Sequence, residues 1–477
     1  MFAEMQRPSD YRILDKDLTR IGHAEGAGRI AARPLRRMGL LLVLILLVIL
    51  AAVVTGAGLP VSAPVVLGFS VAIYLGLNIG ANDVANSAGP AIGAKAMPVT
   101  RGLAGVALAQ LAGALIAGQR VTETIARDIL EVGAIGSGAA PARIMAAALI
   151  GAAVWITLAN WARAPVSTTH SVIGAVAGAG MAGLGLSAIN WPVVAGIAVS
   201  WVAAPVMAAL FAAALLGFLR WRVHFAADRA AAARIWLPLL TGTTGAVFAI
   251  YIARLIKDAP LDPPQLMIAA GLGVAAGLAA RLQLEQELRS DRDHKVTLKR
   301  LLSGPLVLTA LLSGFAHGAN DVANIAGPLS VLLDRTGGTG LSLGTIALAA
   351  LSIAAGSFVF GRRLVRMVGM SITRLNPSRA FCAALAAAAT VLTCSALGLP
   401  VSTTHCAVGG IFGVGFYREW EDRFRRKARK SLPMEELKRR QLVRRSHVWT
   451  TLAAWAVTLP GAGSVAATTY GLISLAS

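Results

Sequence analysis

Charge is what this 477-residue chain has least of: 14% of its residues are charged, against 56% hydrophobic. A soluble globular chain carries roughly 25% charged residues, so a water-facing domain of this size is excluded. With a mean hydropathy of +0.68 and several apolar runs near the ~20 residues that cross a bilayer, the chain reads as a polytopic membrane protein. Cysteine is scarce as well. The three present, Cys382, Cys394 and Cys406, fall in apolar C-terminal segments without metal-ligand spacing, which argues against a disulfide framework or a cysteine-bound metal. Acids are outnumbered by bases, 23 to 44, for a net charge of +21. Such an excess would suit nucleic acid, but here Lys and Arg sit in short loops between apolar runs, where cytoplasmic loops carry them. No nucleic-acid partner is expected.

What the chain does have is a duplication. The stretch Asn78-Ile-Gly-Ala-Asn-Asp-Val-Ala-Asn-Ser-Ala-Gly-Pro90 is nearly repeated as Ala316-His-Gly-Ala-Asn-Asp-Val-Ala-Asn-Ile-Ala-Gly-Pro328. Pro165-Val-Ser-Thr-Thr-His170 recurs letter for letter as Pro400-Val-Ser-Thr-Thr-His405. Asp321 follows Asp83 by 238 residues and Ser402 follows Ser167 by 235. Two motifs at matching offsets identify an internal repeat of the whole unit.

Taken in order, residues 1–38 form a polar tail ending in Arg33, Arg36 and Arg37, expected in the cytoplasm and followed by an uncleaved first helix. Residues 39–219 read as transmembrane repeat 1, with spans near 39–57, 62–90, 102–118, 143–160, 164–182 and 190–219. Residues 220–263 supply a basic loop and a linker helix near 236–256. Residues 264–477 read as transmembrane repeat 2, with spans near 264–281, 303–333, 341–360, 380–398, 400–417 and 447–472, and a basic cytoplasmic loop at 418–446. If all Arg-rich loops are cytoplasmic, the crossings between them must be even in number. They are: six, two, two and two. The two Asn-Asp segments then run in opposite directions, as do the two Ser-Thr-Thr segments. The expected architecture is an all-α polytopic membrane protein of two inverted-topology repeats, with discontinuous helices and a binding site at the repeat interface.

An Asp inside an apolar span costs about 2.5–3.5 kcal/mol, so Asp83 and Asp321 are expected to face a polar cavity. With Asn82 and Asn86 around the first, and Asn320 and Asn324 around the second, each carboxylate forms an oxygen-rich cluster suited to a hard cation or a transferable proton. The bland alternative is an Asp hydrogen-bonded to a broken helix end. Gly80, Gly89, Gly318, Gly327, Pro90 and Pro328 let the backbone leave helical geometry, which membrane depth tolerates only beside a cavity. The second motif reads differently. Pro165 and Pro400 are expected to open half-helices, whose free amides combine with Ser167, Thr168, Thr169, Ser402, Thr403 and Thr404 into donor-rich, uncharged nests for an oxyanion. Ser with His three residues on has no evident orienting acid, so nucleophilic catalysis is not expected. His170 and His405 read as hydrogen-bonding scaffold.

In these four motifs and their order the chain resembles the inorganic phosphate transporter (PiT) family from about residue 65 onward. The resemblance implies symport of inorganic phosphate with Na⁺ or H⁺ and no cofactor. It places the coupling cations at Asp83, Asp321 and their neighbouring Asn residues, and phosphate at the two Ser-Thr-Thr runs. Some members carry a glutamate in the helix after the first motif and another before the second Ser-Thr-Thr run. The matching positions here are Gln110 and Ala384, which leaves the choice between Na⁺ and H⁺ open. Coupling itself has a physical reason, because a dianion entering a cell 100 mV negative inside is opposed by about 2 × 2.3 kcal/mol and needs at least two accompanying charges. A permease for another oxyanion such as sulfate, or a membrane hydrolase, are the alternatives. The expected setting is the bacterial inner membrane, in contact with anionic lipid and with a homodimer left open.

Overall fold

The computed structural model of the protein describes residues 63–131, 140–162, 166–256, 261–289, 301–333, 343–372, 377–426 and 445–475. The expected tail, the span at 39–57, Pro165 and residues 427–444 of the basic loop lie outside them. The described residues are helical almost throughout. In chain order the helices are α1 Ala63–Gly93, α2 Val99–Ala117, α3 Gln119–Glu123, α4 Ala140–Ala162, α5 Thr168–Leu184, α6 Trp191–Leu219 and α7 Arg229–Ile256. The second half continues with α8 Pro263–Arg289, α9 Ser303–Asp321, α10 Ala323–Leu333, α11 Leu343–Ile372, α12 Pro377–Ala396, α13 Thr403–Arg426 and α14 Arg445–Leu475. Seven helices among the described residues are long and apolar enough to cross a membrane. This is a multi-pass, all-α membrane protein.

Local chemistry fixes the helix starts that matter. Ser167, with extended backbone at φ −86°, ψ 127°, caps α5 by accepting the His170 amide at 3.3 Å, and Ser402 does the same for the His405 amide at 3.3 Å. A hydroxyl at this position satisfies one of the four amides a helix start leaves unpaired. Pro400 therefore sits two residues before the cap, in extended chain, and not in the first helical turn as expected. Asn190 caps α6 on the Val193 amide at 3.4 Å. Pro90 and Pro328 lie inside α1 and α10, and because proline has no N–H, the carbonyls four residues back, on Asn86 and Asn324, lose their usual helical donor.

Apolar side chains gather in two clusters. The first takes Val71 to Ile79 of α1, the faces of α4 and α5, the start of α6 up to Trp201, and Ala323 to Leu332 of α10. The second takes Val84 to Ala91 of α1, α6 from Ala204 onward, Leu306 to Ala319 of α9, and the inner face of α12. The seam between the two clusters falls on the Asn-Asp motifs, between Ile79 and Val84 and between Ala319 and Val322. The first motif segment crosses that seam from the first cluster to the second; its copy crosses from the second to the first. Packing is exchanged in the same way: α1 lies along α11 as α9 lies along α2, and α5 against α14 as α13 against α6. Close backbone approach makes two of these crossings. A Cβ at Gly80 would collide with the Ile353 carbonyl, and one at Gly318 with the Gln110 carbonyl. Outside lies the pair α7 and α8, with 11% of each apolar stretch buried against 78% in α12. Their remaining apolar surface is left for lipid.

Several expected boundaries shift. The single span at 303–333 divides into α9 and α10 at Val322, which keeps helical dihedrals of φ −56°, ψ −34° while its carbonyl is shared by the amides of Ile325 (3.1 Å) and Ala326 (2.8 Å), a local tightening of the helix. The first copy, by contrast, remains one helix through its motif. After α2 the chain adds α3 and a π-turn at Thr124–Asp128, packed on α10, where the sequence offered only a loop. The Arg-rich loops are shorter than expected, since α8 runs to Arg289, α11 to Ile372 and α13 to Arg426. Helical hydrogen bonding satisfies the backbone equally well beyond the hydrocarbon, and Arg, Leu and Glu are good helix formers.

Candidate functional site

The first cluster is built from both halves of the chain. Asp83 is buried on α1, with Asn86 one turn further on. Thr404, the second residue of α13, donates to Asp83 Oδ1 at 3.3 Å and accepts from Asn86 Nδ2 at 3.3 Å, while Asn86 Nδ2 reaches Asp83 Oδ1 at 3.4 Å. All three distances are at the long end of hydrogen bonding, so the carboxylate is surrounded without being locked. Asp83 Oδ2 is buried and meets no hydrogen-bond partner among the described residues.

The second cluster is tighter. Asn320 grips the Val401 backbone at two points, its Nδ2 donating to the carbonyl at 2.6 Å and its Oδ1 accepting the amide at 3.1 Å, and Nδ2 also reaches Asp321 Oδ1 at 3.0 Å. Thr403 donates to Asp321 Oδ2 at 3.5 Å. Asn324 donates to Thr169 Oγ1 at 3.3 Å, and Thr169 in turn donates to the Val401 carbonyl at 3.2 Å. The carbonyl of Val401 thus ties the first Ser-Thr-Thr run to the second motif. Asn324 Oδ1 is buried without a partner among the described residues. The adjacent residues Thr403 and Thr404 contact Asp321 and Asp83 respectively, so the start of α13 joins the two clusters.

Of the residues singled out in the sequence, Asp83, Asn86 and Thr404 meet in one cluster, and Thr169, Asn320, Asp321, Asn324 and Thr403 in the other. Ser167 and Ser402 use their lone pairs as helix caps. Asn82 and Thr168 stand half-buried on the same turns. His170 and His405 are held by rings instead of hydrogen bonds. His170 stacks on Trp201 at 3.7 Å and His405 on Trp455 at 3.4 Å, and the two imidazoles meet edge-on at 4.7 Å. Their ring nitrogens make no geometrically acceptable hydrogen bond among the described residues, although His170 approaches the Trp455 backbone. The Trp201 indole donates to the Pro400 carbonyl at 2.9 Å, closing the column across the halves.

Two further polar contacts escaped the sequence reading. Ser87 Oγ and His317 Nδ1 pair at 2.9 Å, joining α1 to α9. The repeat-related positions are Ile325 and Ile79, both fully buried, so the departure from exact repetition was the available signal. Gln110 is buried, its Oε1 accepting from Ser357 Oγ, which also lies 2.9 Å from the Gly80 carbonyl. Ala384 is buried on α12.

A multi-pass helical protein whose polar side chains converge on a seam between two apolar cores is built as a membrane transporter. Comparison with known proteins makes the class specific. The phosphate transporter family model matches residues 79–466, and the chain belongs to that family. It is 39% identical over 359 residues to a protein named provisionally as a phosphate permease in Helicobacter pylori strain J99, covering 72% of this chain and 67% of the relative. It is 30% identical to the chloroplastic inorganic phosphate transporter 2-1 of Arabidopsis thaliana, covering 82% of this chain and 69% of the relative. A solved sodium-dependent phosphate transporter superposes with a TM-score of 0.76 at 26% identity, over 87% of this chain and all of that one.

Proposed function

We propose that the chain is a symporter importing inorganic phosphate with Na⁺ or H⁺ across the bacterial inner membrane by alternating access, and that its two halves are inverted repeats. The observation that carries this reading is the Asp83–Thr404 contact, in which an acid of one half meets a hydroxyl of the other half's Ser-Thr-Thr run. The opposed senses in which the two motif segments cross the seam support the inversion. In this reading Asp83 and Asp321, with Asn82, Asn86 and Asn324, hold the coupling cations, and Asp83 Oδ2 and Asn324 Oδ1, which have no hydrogen-bond partner among the described residues, supply ligand atoms. Asn320 acts by holding Val401 in place. Thr168, Thr169, Thr403 and Thr404 and the amides behind the Ser167 and Ser402 caps bind phosphate, whose charge the positive ends of α5 and α13 favour. Sodium is the first ion to test, given the sodium dependence of the solved relative.

The test is labelled phosphate uptake into vesicles reconstituted with the purified chain, under an imposed Na⁺ or H⁺ gradient, beside Asp83→Asn and Asp321→Asn. Gradient-driven uptake that both variants lose is expected. Uptake indifferent to both gradients would remove the symport reading, and displacement of phosphate by equimolar sulfate would reassign the substrate.

A further inference from the structure

The linker from α12 to α13, residues 397–402, is tied down along its backbone from one helix to the next. Gly398, at φ +69°, ends α12: its amide bonds to the Ser395 carbonyl at 3.0 Å and the Leu399 amide to the Cys394 carbonyl at 2.9 Å, the paired bonds that close a glycine-ended helix. Two carbonyls left over there are taken by side chains of the first half. Thr124, which opens the π-turn Thr124–Asp128, donates to the Gly398 carbonyl at 2.8 Å, with the Arg120 carbonyl farther off at 3.3 Å and the Asp128 carboxyl also within reach. Arg120 of α3 donates to the Ala396 carbonyl at 2.9 Å and makes further contacts; a cation at that place also meets the negative end of the α12 dipole. Further along, Trp201 donates to the Pro400 carbonyl, Asn320 brackets Val401, and Ser402 caps α13.

Thr403 and Thr404 follow that cap directly, and they are the residues that reach Asp321 at 3.5 Å and Asp83 at 3.3 Å. Bonds of this length weaken steeply with further separation, so a small displacement of the linker decides whether they form. We propose that Thr124 and Arg120 are positioning residues for transport: through the Gly398 and Ala396 carbonyls they set where α13 starts, and with it the distances from Thr403 and Thr404 to the two aspartates. The assignment rests on reading those clusters as the transport site. Exposure separates this role from plain support. Arg120 is exposed and Thr124 half-buried, so water can replace either bond at little cost to the fold, whereas the buried threonines move with the linker. A π-turn, uncommon in proteins and frequent at functional sites, carries Thr124.

Two readouts test the assignment. In reconstituted vesicles, Thr124→Val should raise the KM for phosphate or for the driving ion about fivefold, and Arg120→Gln added to it about fivefold more, with the thermal unfolding midpoint close to that of wild type. Thr124→Ser, which keeps the hydroxyl, should restore the wild-type KM, and Gln119→Ala on the same turn should change nothing. The second readout needs no transport: alkylation of the native cysteines by N-ethylmaleimide in the purified full chain, located by peptide mass spectrometry. Cys394 lies one turn before Gly398 and Cys406 in the first turn of α13, while Cys382 lies nearer the other end of α12, and all three are buried. Loss of the two anchors should speed alkylation of Cys394 and Cys406 about tenfold and leave Cys382 slow. Faster alkylation of all three signals general loosening and overturns the positioning role, as does an unchanged KM. Unchanged alkylation of Cys394 and Cys406 overturns the anchoring itself. A wild type that alkylates as expected yet carries no phosphate overturns the transport reading and leaves the anchoring standing, so the two failures are distinguishable.

Discussion

The two Asn-Asp motifs share seven identical residues, Gly-Ala-Asn-Asp-Val-Ala-Asn, and fold differently. In α1 the motif remains inside one regular helix; in the second half α9 and α10 meet at Val322, a one-residue irregularity that keeps helical dihedrals of φ −56°, ψ −34°. Asp83 is held by a threonine of the opposite half, Asp321 by a threonine of its own. Asn320 clamps Val401, while its counterpart Asn82 stands half-buried. Local propensity cannot cause these differences, because the residues are the same. They come from the flanks and the partners: Ser87 and His317 form a polar link where the repeat-related pair is Ile325 and Ile79, and α10 packs on the turn at Thr124–Asp128 that follows the first half's α2. Exact duplication of a motif therefore fixes which residues meet, and leaves their arrangement to context.

Four pairs of substitutions would break or sharpen the comparison. The largest effect is expected from Asp83→Asn and Asp321→Asn, each lowering gradient-driven phosphate uptake by on the order of 100-fold, about 3 kcal/mol of lost charge-assisted bonding. An active Asp321→Asn beside an inactive Asp83→Asn would show that the copies have divided their work. Next comes Asn320→Ala, which leaves the Val401 amide without its partner, the carbonyl keeping Thr169, and should cost about 1–3 kcal/mol in thermal unfolding. Asn82→Ala should cost far less, and equal losses would refute the clamp. Thr404→Val should raise the phosphate or cation concentration needed for half-maximal uptake about tenfold, from one bond to a carboxylate; Thr169→Val, its counterpart, which bonds Asn324 and the Val401 carbonyl and no carboxylate, should have a smaller effect. Smallest and most even are the caps. Ser167→Ala and Ser402→Ala should each cost about 1 kcal/mol of stability, equally, since both accept at 3.3 Å.

The sequence made the pairing of acid clusters with hydroxyl runs legible, because a carboxylate in an apolar span and a repeated cap motif each demand a polar neighbour. It did not show which threonine of Thr403 and Thr404 faces which aspartate, since that depends on the crossing angle of α13 with α1 and α9. The stacking of His170 and His405 on Trp201 and Trp455 was hidden for a related reason: the helices carrying the tryptophans could be matched between halves, but ring contact follows from three-dimensional packing. The sequence treated Pro90 and Pro328 as equivalent helix breakers, and here the structure is uneven. Helix α1 absorbs its proline and glycines, whereas the second copy is locally tightened at Val322, six residues before Pro328.

The contact between Asp83 and Thr404 has a geometric consequence. Its two members ride on opposite halves of the chain, so any rotation or slide of one half past the other must lengthen that bond before it disturbs either half's interior. On the proposed reading, a cation at the carboxylate would act on the same few ångströms that a shift of one half past the other would change.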